Sequence, residues 1–207
     1  MFPTLQHYLK EAEKHFDAIP ETRKHTLTQL SQYVAAKLKA GETPELIYIC
    51  THNSRRSHFG QIWAQTAASY YGFDIVKTYS GGTEATAFNP NAIRAAEKAG
   101  FLIEKDTTPG NPRYTVRYQE KGDSILCFSK KYDDKQNPQE GFCAIMTCTE
   151  ADGACPFVAG ASTRVSTPYD DPKAFDNTDV QDMKYSERCL QIATETLYAF
   201  SLVKNLL

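Results

Sequence analysis

The residues that could do chemistry gather in one stretch, Cys50-Thr51-His52-Asn53-Ser54-Arg55-Arg56-Ser57. Its spacing is Cys-x5-Arg-Ser. A short apolar run, Leu46 to Ile49, precedes the cysteine and reads as a buried parallel strand, while the pattern after Ser57 is helical. A strand–loop–helix of this kind aims several backbone N–H groups and a helix N-terminus at one point. That point suits a tetrahedral oxyanion, and the planar Arg56 fork can grip two of its oxygens. Cys50, at the loop entrance, is expected as a thiolate in the same field, with Ser57 donating to the sulfur. The plainer alternative is a buried structural cysteine beside an ion-paired arginine. It leaves unexplained why strand, thiol, arginine and helix start fall in register.

Two further stretches carry candidate groups. In Cys148-Thr149-Glu150-Ala151-Asp152-Gly153-Ala154-Cys155-Pro156, two cysteines flank a small polar loop at a strand end. The carboxyl ends of strands are where ligands meet an open α/β sheet. Both thiols could reach Cys50 in turn from a mobile loop, though not while the segment is a rigid helix or strand. Alone the pair suits two structural cysteines; with the Cys50 loop on the same sheet edge, a three-thiol relay is the better reading. In Asp170-Asp171-Pro172, a carboxylic acid beside the oxyanion pocket could protonate a leaving oxygen. Pro172 biases Asp171 towards an extended backbone. An acidic polar turn would look the same. Cys127, Cys143 and Cys189 fall within expected strands or helix and read as buried small hydrophobes.

The elements that must position these groups follow from periodicity. Residues 3 to 19 carry Leu5, Leu9, Ala12 and Phe16 at helical spacing before Pro20, and Leu27, Leu30, Val34 and Leu38 repeat the pattern before Gly41. These are expected as a helical hairpin over residues 1–44, packed on a main domain of residues 45–207. A helix follows over residues 57–71, then a strand over 73–79 that runs into Ser80-Gly81-Gly82-Thr83, a turn whose glycines let backbone approach closely. The next helix is capped by Asn89-Pro90 and ends at Gly100. Residues 113–128 read as a β-hairpin within an insertion of about 113–140. Strands over 142–147 and 163–167 and a helix over 180–203 complete an α/β pattern with parallel strands covered on both faces.

Composition narrows the setting. At 207 residues and a formal charge of −2, the chain offers no general attraction to nucleic acid or an anionic membrane. It shows no apolar run of spanning length and no signal-peptide pattern at its start, so cytoplasmic residence is expected. Six cysteines in that setting point to thiol chemistry rather than a disulfide scaffold. Without CxxC, HExxH or clustered His/Cys spacing, neither a zinc site nor any cofactor is expected.

The Cys50–Ser57 loop, Tyr79-Ser80-Gly81-Gly82-Thr83-Glu84, Asn89-Pro90-Asn91-Ala92-Ile93 and Asp171-Pro172 resemble the low-molecular-weight protein tyrosine phosphatase superfamily in order and approximate spacing. The Cys148…Cys155 pair resembles its thioredoxin-coupled arsenate reductase branch. The resemblance runs from about Leu46 onward and implies a doubly wound four-stranded parallel sheet of order 2-1-3-4. It further implies Cys50 as the nucleophile on arsenate, and Arg56 with the loop from Thr51 through His52, Asn53, Ser54 and Arg55 to Ser57 as oxyanion cradle. Asn53 would hold the strained turn and Asp171 would act as acid. Cys148 and Cys155 would form the closing disulfide, reopened by a thioredoxin-type donor. His52 stands where such loops usually have glycine, and Arg55 replaces a small residue or cysteine. Gln61 replaces a glutamate associated with potassium binding, so that site is expected to be weak or absent. Two other functions fit parts of the pattern: a phosphatase for phosphotyrosine or small phosphoesters, and a non-catalytic redox or oxyanion sensor.

Overall fold

The apolar run at Leu46–Ile49 lies at the heart of a four-stranded parallel sheet in the computed structural model, which describes residues 1–154 and 157–207. In chain order the elements are α1 (Pro3–Glu13), α2 (Glu21–Lys39), β1 (Glu45–Cys50), α3 (Arg56–Tyr70), β2 (Lys77–Gly82), α4 (Pro90–Ala99), β3 (Leu102–Lys105), β4 (Tyr114–Arg117), β5 (Ile125–Cys127), β6 (Phe142–Met146), α5 (Thr149–Ala154), β7 (Ala161–Ser166) and α6 (Gln181–Leu206). Short 3-10 turns sit at Phe16–Ala18 and Pro172–Phe175. The main sheet runs β2-β1-β6-β7, all parallel, which is the expected order 2-1-3-4 when only its own strands are counted.

Burial on both faces explains why β1 is apolar without alternation. Leu46 and Tyr48 enter a large cluster with Leu5, Leu9, Leu30, Trp63, Ile192 and Phe200, drawn from α1, α2, α3 and α6. Ile47 and Ile49 face a smaller cluster with Phe142, Met146, Cys148 and Ala151, the last from α5. Helices therefore lie against both faces. The apolar stripe of the N-terminal hairpin shares the large cluster with the sheet and α6.

The expected helix starts and stops are present where their chemistry demands. Asn89 accepts from the main-chain N–H groups of Asn91 and Ala92 ahead of Pro90, and Gly100 closes α4 at φ 113°. Cys127, Cys143 and Cys189 are all fully buried.

Four expectations change. β2 starts at Lys77 rather than Phe73 and runs through Ser80-Gly81-Gly82 instead of turning there. Gly82 pairs with Cys50, and a Cβ on it would lie 2.6 Å from Thr51 O and 2.7 Å from Asn53 N. The close backbone approach expected of the glycines is present, but within a strand and not in a turn. The hairpin of β4 and β5 gains a third antiparallel strand, β3, whose mostly exposed residues give no apolar alternation to read. The first helix stops at Glu13 instead of running on towards Pro20. Residues 149–154, expected as a polar loop, form the short helix α5.

Among the described residues no helix is long and apolar enough to cross a membrane, and no His/Cys/Asp/Glu group could hold a metal.

Candidate active site

The loop from Cys50 to Arg56 is held by its carbonyl groups. Cys50 O accepts from Thr83 N (3.1 Å), Thr51 O from Glu84 N (2.8 Å) and Ser54 O from Asn89 N (3.0 Å). His52 O accepts from the Ser129 hydroxyl at 3.0 Å. With those oxygens tied to the surrounding chain, the main-chain N–H groups from Thr51 to Ser57 find no acceptor among the described residues. Successive N–H groups left together beside the first turn of α3 are the kind of concavity that can take an anion.

Asn53 makes the turn possible. It sits at φ 44°, in the left-handed region that asparagine tolerates better than most residues. Fully buried, its side chain takes a hydrogen bond from Lys130 N (2.9 Å) and gives one to Ser57 Oγ (2.9 Å). Because Ser57 Oγ accepts from Asn53, its own proton is free for the Cys50 sulfur, 3.1 Å away. Asparagine, serine and thiol thus form one chain.

The arginine fork is set from the far side. Arg56 Nη1 donates to Tyr169 O and Nη2 to Asp171 Oδ2, each at 2.8 Å. Its Nε is buried and donates to nothing among the described residues. Asp171 also caps the following 3-10 turn, accepting from Lys173 N. The thiol loop, the arginine and the acidic loop therefore meet at the carboxyl end of β1, where a ligand is expected on such a sheet.

Other cradle residues contribute main chain only. The Ser54 hydroxyl turns away to Ala87 O, and the His52 ring lies 3.6 Å from the Glu84 carboxylate on the outside. Arg55 bonds Tyr185 Oη at 2.8 Å and lies 3.5 Å from Asp176 and 3.8 Å from Asp171, so its charge supports the acidic loop from behind. Gln61 is buried, donating to the carbonyls of Thr78 and Leu126.

Cys148 stands beside the loop. Its sulfur is 3.5 Å from the Thr51 hydroxyl and 3.4 Å from Ala151 N, and it shares the smaller apolar cluster with Cys50. Burial raises the Cys148 pKa, while the Thr51 hydroxyl, the Ala151 N–H and the Arg56 charge oppose that rise. Cys155 lies outside the described residues. Sequence reasoning misses Ser129 and Lys130, which clasp the loop from 77 positions away, and the main-chain oxygen of Tyr169. No local pattern marks them.

No family model matches the chain. It is 28% identical over 134 residues to an arsenate reductase of Halalkalibacterium halodurans, covering 65% of this chain and 78% of that one. A Bacillus licheniformis arsenate reductase is 26% identical over 156 residues, covering 75% and 94%. Among solved structures, a low-molecular-weight phosphotyrosine phosphatase of Vibrio cholerae O395 superposes with a TM-score of 0.51 at 12% identity, covering 78% of this chain and 95% of that one. Architecture and sequence likeness agree: the chain has the fold of the low-molecular-weight protein tyrosine phosphatase superfamily, and its curated relatives are arsenate reductases.

Proposed function

We propose that the protein is an arsenate reductase in which the Cys50 thiolate attacks arsenate held by the Thr51–Ser57 N–H groups and Arg56. The second thiol, Cys148 against the Thr51 hydroxyl, is the observation that carries this reading. Phosphoester hydrolysis needs no such group.

Cys50 sulfur bonds to arsenic(V), and one oxygen leaves as water after taking a proton from Asp171. The unpartnered Arg56 Nε and the loop amides bear the negative charge. Cys148 then attacks the Cys50 sulfur. The sulfur–arsenic bond breaks, its electron pair stays on arsenic, and arsenite departs as arsenic(III). The Cys50–Cys148 disulfide is attacked at Cys148 by Cys155, returning Cys50 to its thiolate. A thioredoxin-type dithiol then reduces Cys148–Cys155 outside the site. No metal or organic cofactor takes part, and the setting is the cytoplasm.

Substituting serine at Cys148 separates this reading from a phosphatase. Arsenate turnover should fall to background while p-nitrophenyl phosphate hydrolysis survives, because Cys50, Arg56 and Asp171 suffice for a phosphocysteine route. Undiminished arsenate reduction in Cys148→Ser would contradict the relay. The phosphatase alternative retains support from the complete Cys50–Arg56–Asp171 set; a sensor without turnover has no observation in its favour.

A further inference from the structure

The loop that carries Asp171 is tied to a part of the chain outside the phosphatase-like unit. Arg23, in the first turn of α2, donates from Nη2 to Pro168 O at 2.7 Å. Its Nε lies 3.6 Å from Glu195 Oε2, and its guanidinium carbon is 5.2 Å from the centre of the Tyr169 ring. Glu195, on α6, accepts from Tyr169 Oη at 2.9 Å and from Gln191 Nε2 at 3.1 Å. Tyr169 and Glu195 are 6% and 4% exposed, so this is an interior tie in which both charges are paired. The next links are short. Tyr169 O holds Arg56 Nη1, and Asp171 stands two residues on, within 2.8 Å of Arg56 Nη2.

We propose that Arg23 and Glu195 are positioning residues for the acid: α2 and α6 together clamp the Pro168–Asp171 loop, so that the N-terminal hairpin sets the place of the Asp171 carboxyl. Arg56 and the Tyr169 N–H, which donates to Thr147 O at 3.1 Å, already tie this loop to the sheet; Arg23 and Glu195 add a hold from α2 and α6, which narrows the carboxyl's range over distances that matter to proton transfer. Arg23 supplies a main-chain anchor, a ring contact and a counter-charge at once, which a shorter or neutral side chain cannot reproduce. The inference rests on the role given to Asp171 above.

A double-mutant cycle on the full-length protein tests it, reading kcat for arsenate reduction with a dithiol donor in excess. Arg23→Met should lower kcat on the order of 10-fold in the native background. In an Asp171→Asn background the same change should cost less than about 2-fold, because the group that Arg23 places is already gone. Arg23→Lys should recover part of the loss. Thermal midpoints measured alongside separate placement from general loosening: a structural role alone lowers kcat by the same factor in both backgrounds. Equal factors, or no loss in Arg23→Met, overturn the inference and leave the assignment of Asp171 standing. If Asp171→Asn alone costs nothing, the acid assignment itself falls and this inference falls with it.

Discussion

At the scale of single residues, the site is a division of labour between main chain and side chain. Thr51, His52, Ser54 and Arg55 lend N–H groups while their side chains serve other neighbours. Cys50 and Arg56 are legible in sequence because the chemistry requires both at one spacing along a continuous loop. Asn53 is legible only in part: its left-handed turn suits asparagine, but its acceptor atom is bound by the main chain of Lys130. The Thr51 hydroxyl gives a test of the second thiol. Burial already raises the Cys148 pKa, and this hydroxyl counters the rise. Thr51→Val should raise it further, so that fewer molecules carry the attacking thiolate near neutrality. In single-turnover thiol counting, disulfide formation should slow about 3- to 10-fold at pH 7 and recover as pH rises. A slowing that persists unchanged at high pH would assign Thr51 to the cradle instead.

At the scale of elements, close approach decides more than propensity. The glycines after Tyr79 read as a turn, yet they are the last residues of β2, Gly81 set against the Tyr132 backbone and Gly82 against the Thr51 carbonyl and the Asn53 amide. Local pattern cannot show this, since a glycine is permissive for both outcomes. Replacing Gly82 by alanine must move backbone, because all three crowded neighbours, Glu84 O, Thr51 O and Asn53 N, are main-chain atoms. The expected result is a rise of about 10-fold or more in the inhibition constant of inorganic phosphate, from displaced N–H donors. An unchanged constant would mean that the loop is not the anion site. The α5 segment teaches a related point. Its small polar residues suit a loop, but Asp152 is clamped by Arg164 and by the Ser166 hydroxyl from β7. That tertiary grip overrides the local preference.

At the scale of the whole molecule, the α/β pattern is legible because each strand and helix carries its own period. The packing of α1 and α2 on the main domain is legible too, from their apolar stripes; which residues those stripes meet is not, since a stripe says that a face is buried but not against what. Leu5, Leu9 and Leu30 in fact join Trp63 and Phe200 in one cluster. The same interior holds His58, fully buried, stacked on Phe88 and within 3.3 Å of Ser80 Oγ. Burial, aided by the Lys130 charge, pushes its pKa down to about 3. In the unfolded chain it titrates near 6.5, so between these values the unfolded state binds the extra proton. Stability should therefore fall as pH drops below about 6.5, by up to roughly 1.4 kcal/mol per pH unit from this group. Urea midpoints at pH 7 and pH 5 check this. His58→Gln should flatten the dependence; an equal slope in the variant would place its cause elsewhere.

In the proposed reaction an anion-bound thiolate hands two electrons from sulfur to arsenic. Free thiols counted before and after one turnover with arsenate, followed by mass mapping, test it most directly. The prediction is one arsenite released, two thiols lost, and a single bridge between Cys148 and Cys155. Arsenate consumed with all six cysteines still reduced, or no arsenite formed with any dithiol donor, would contradict it.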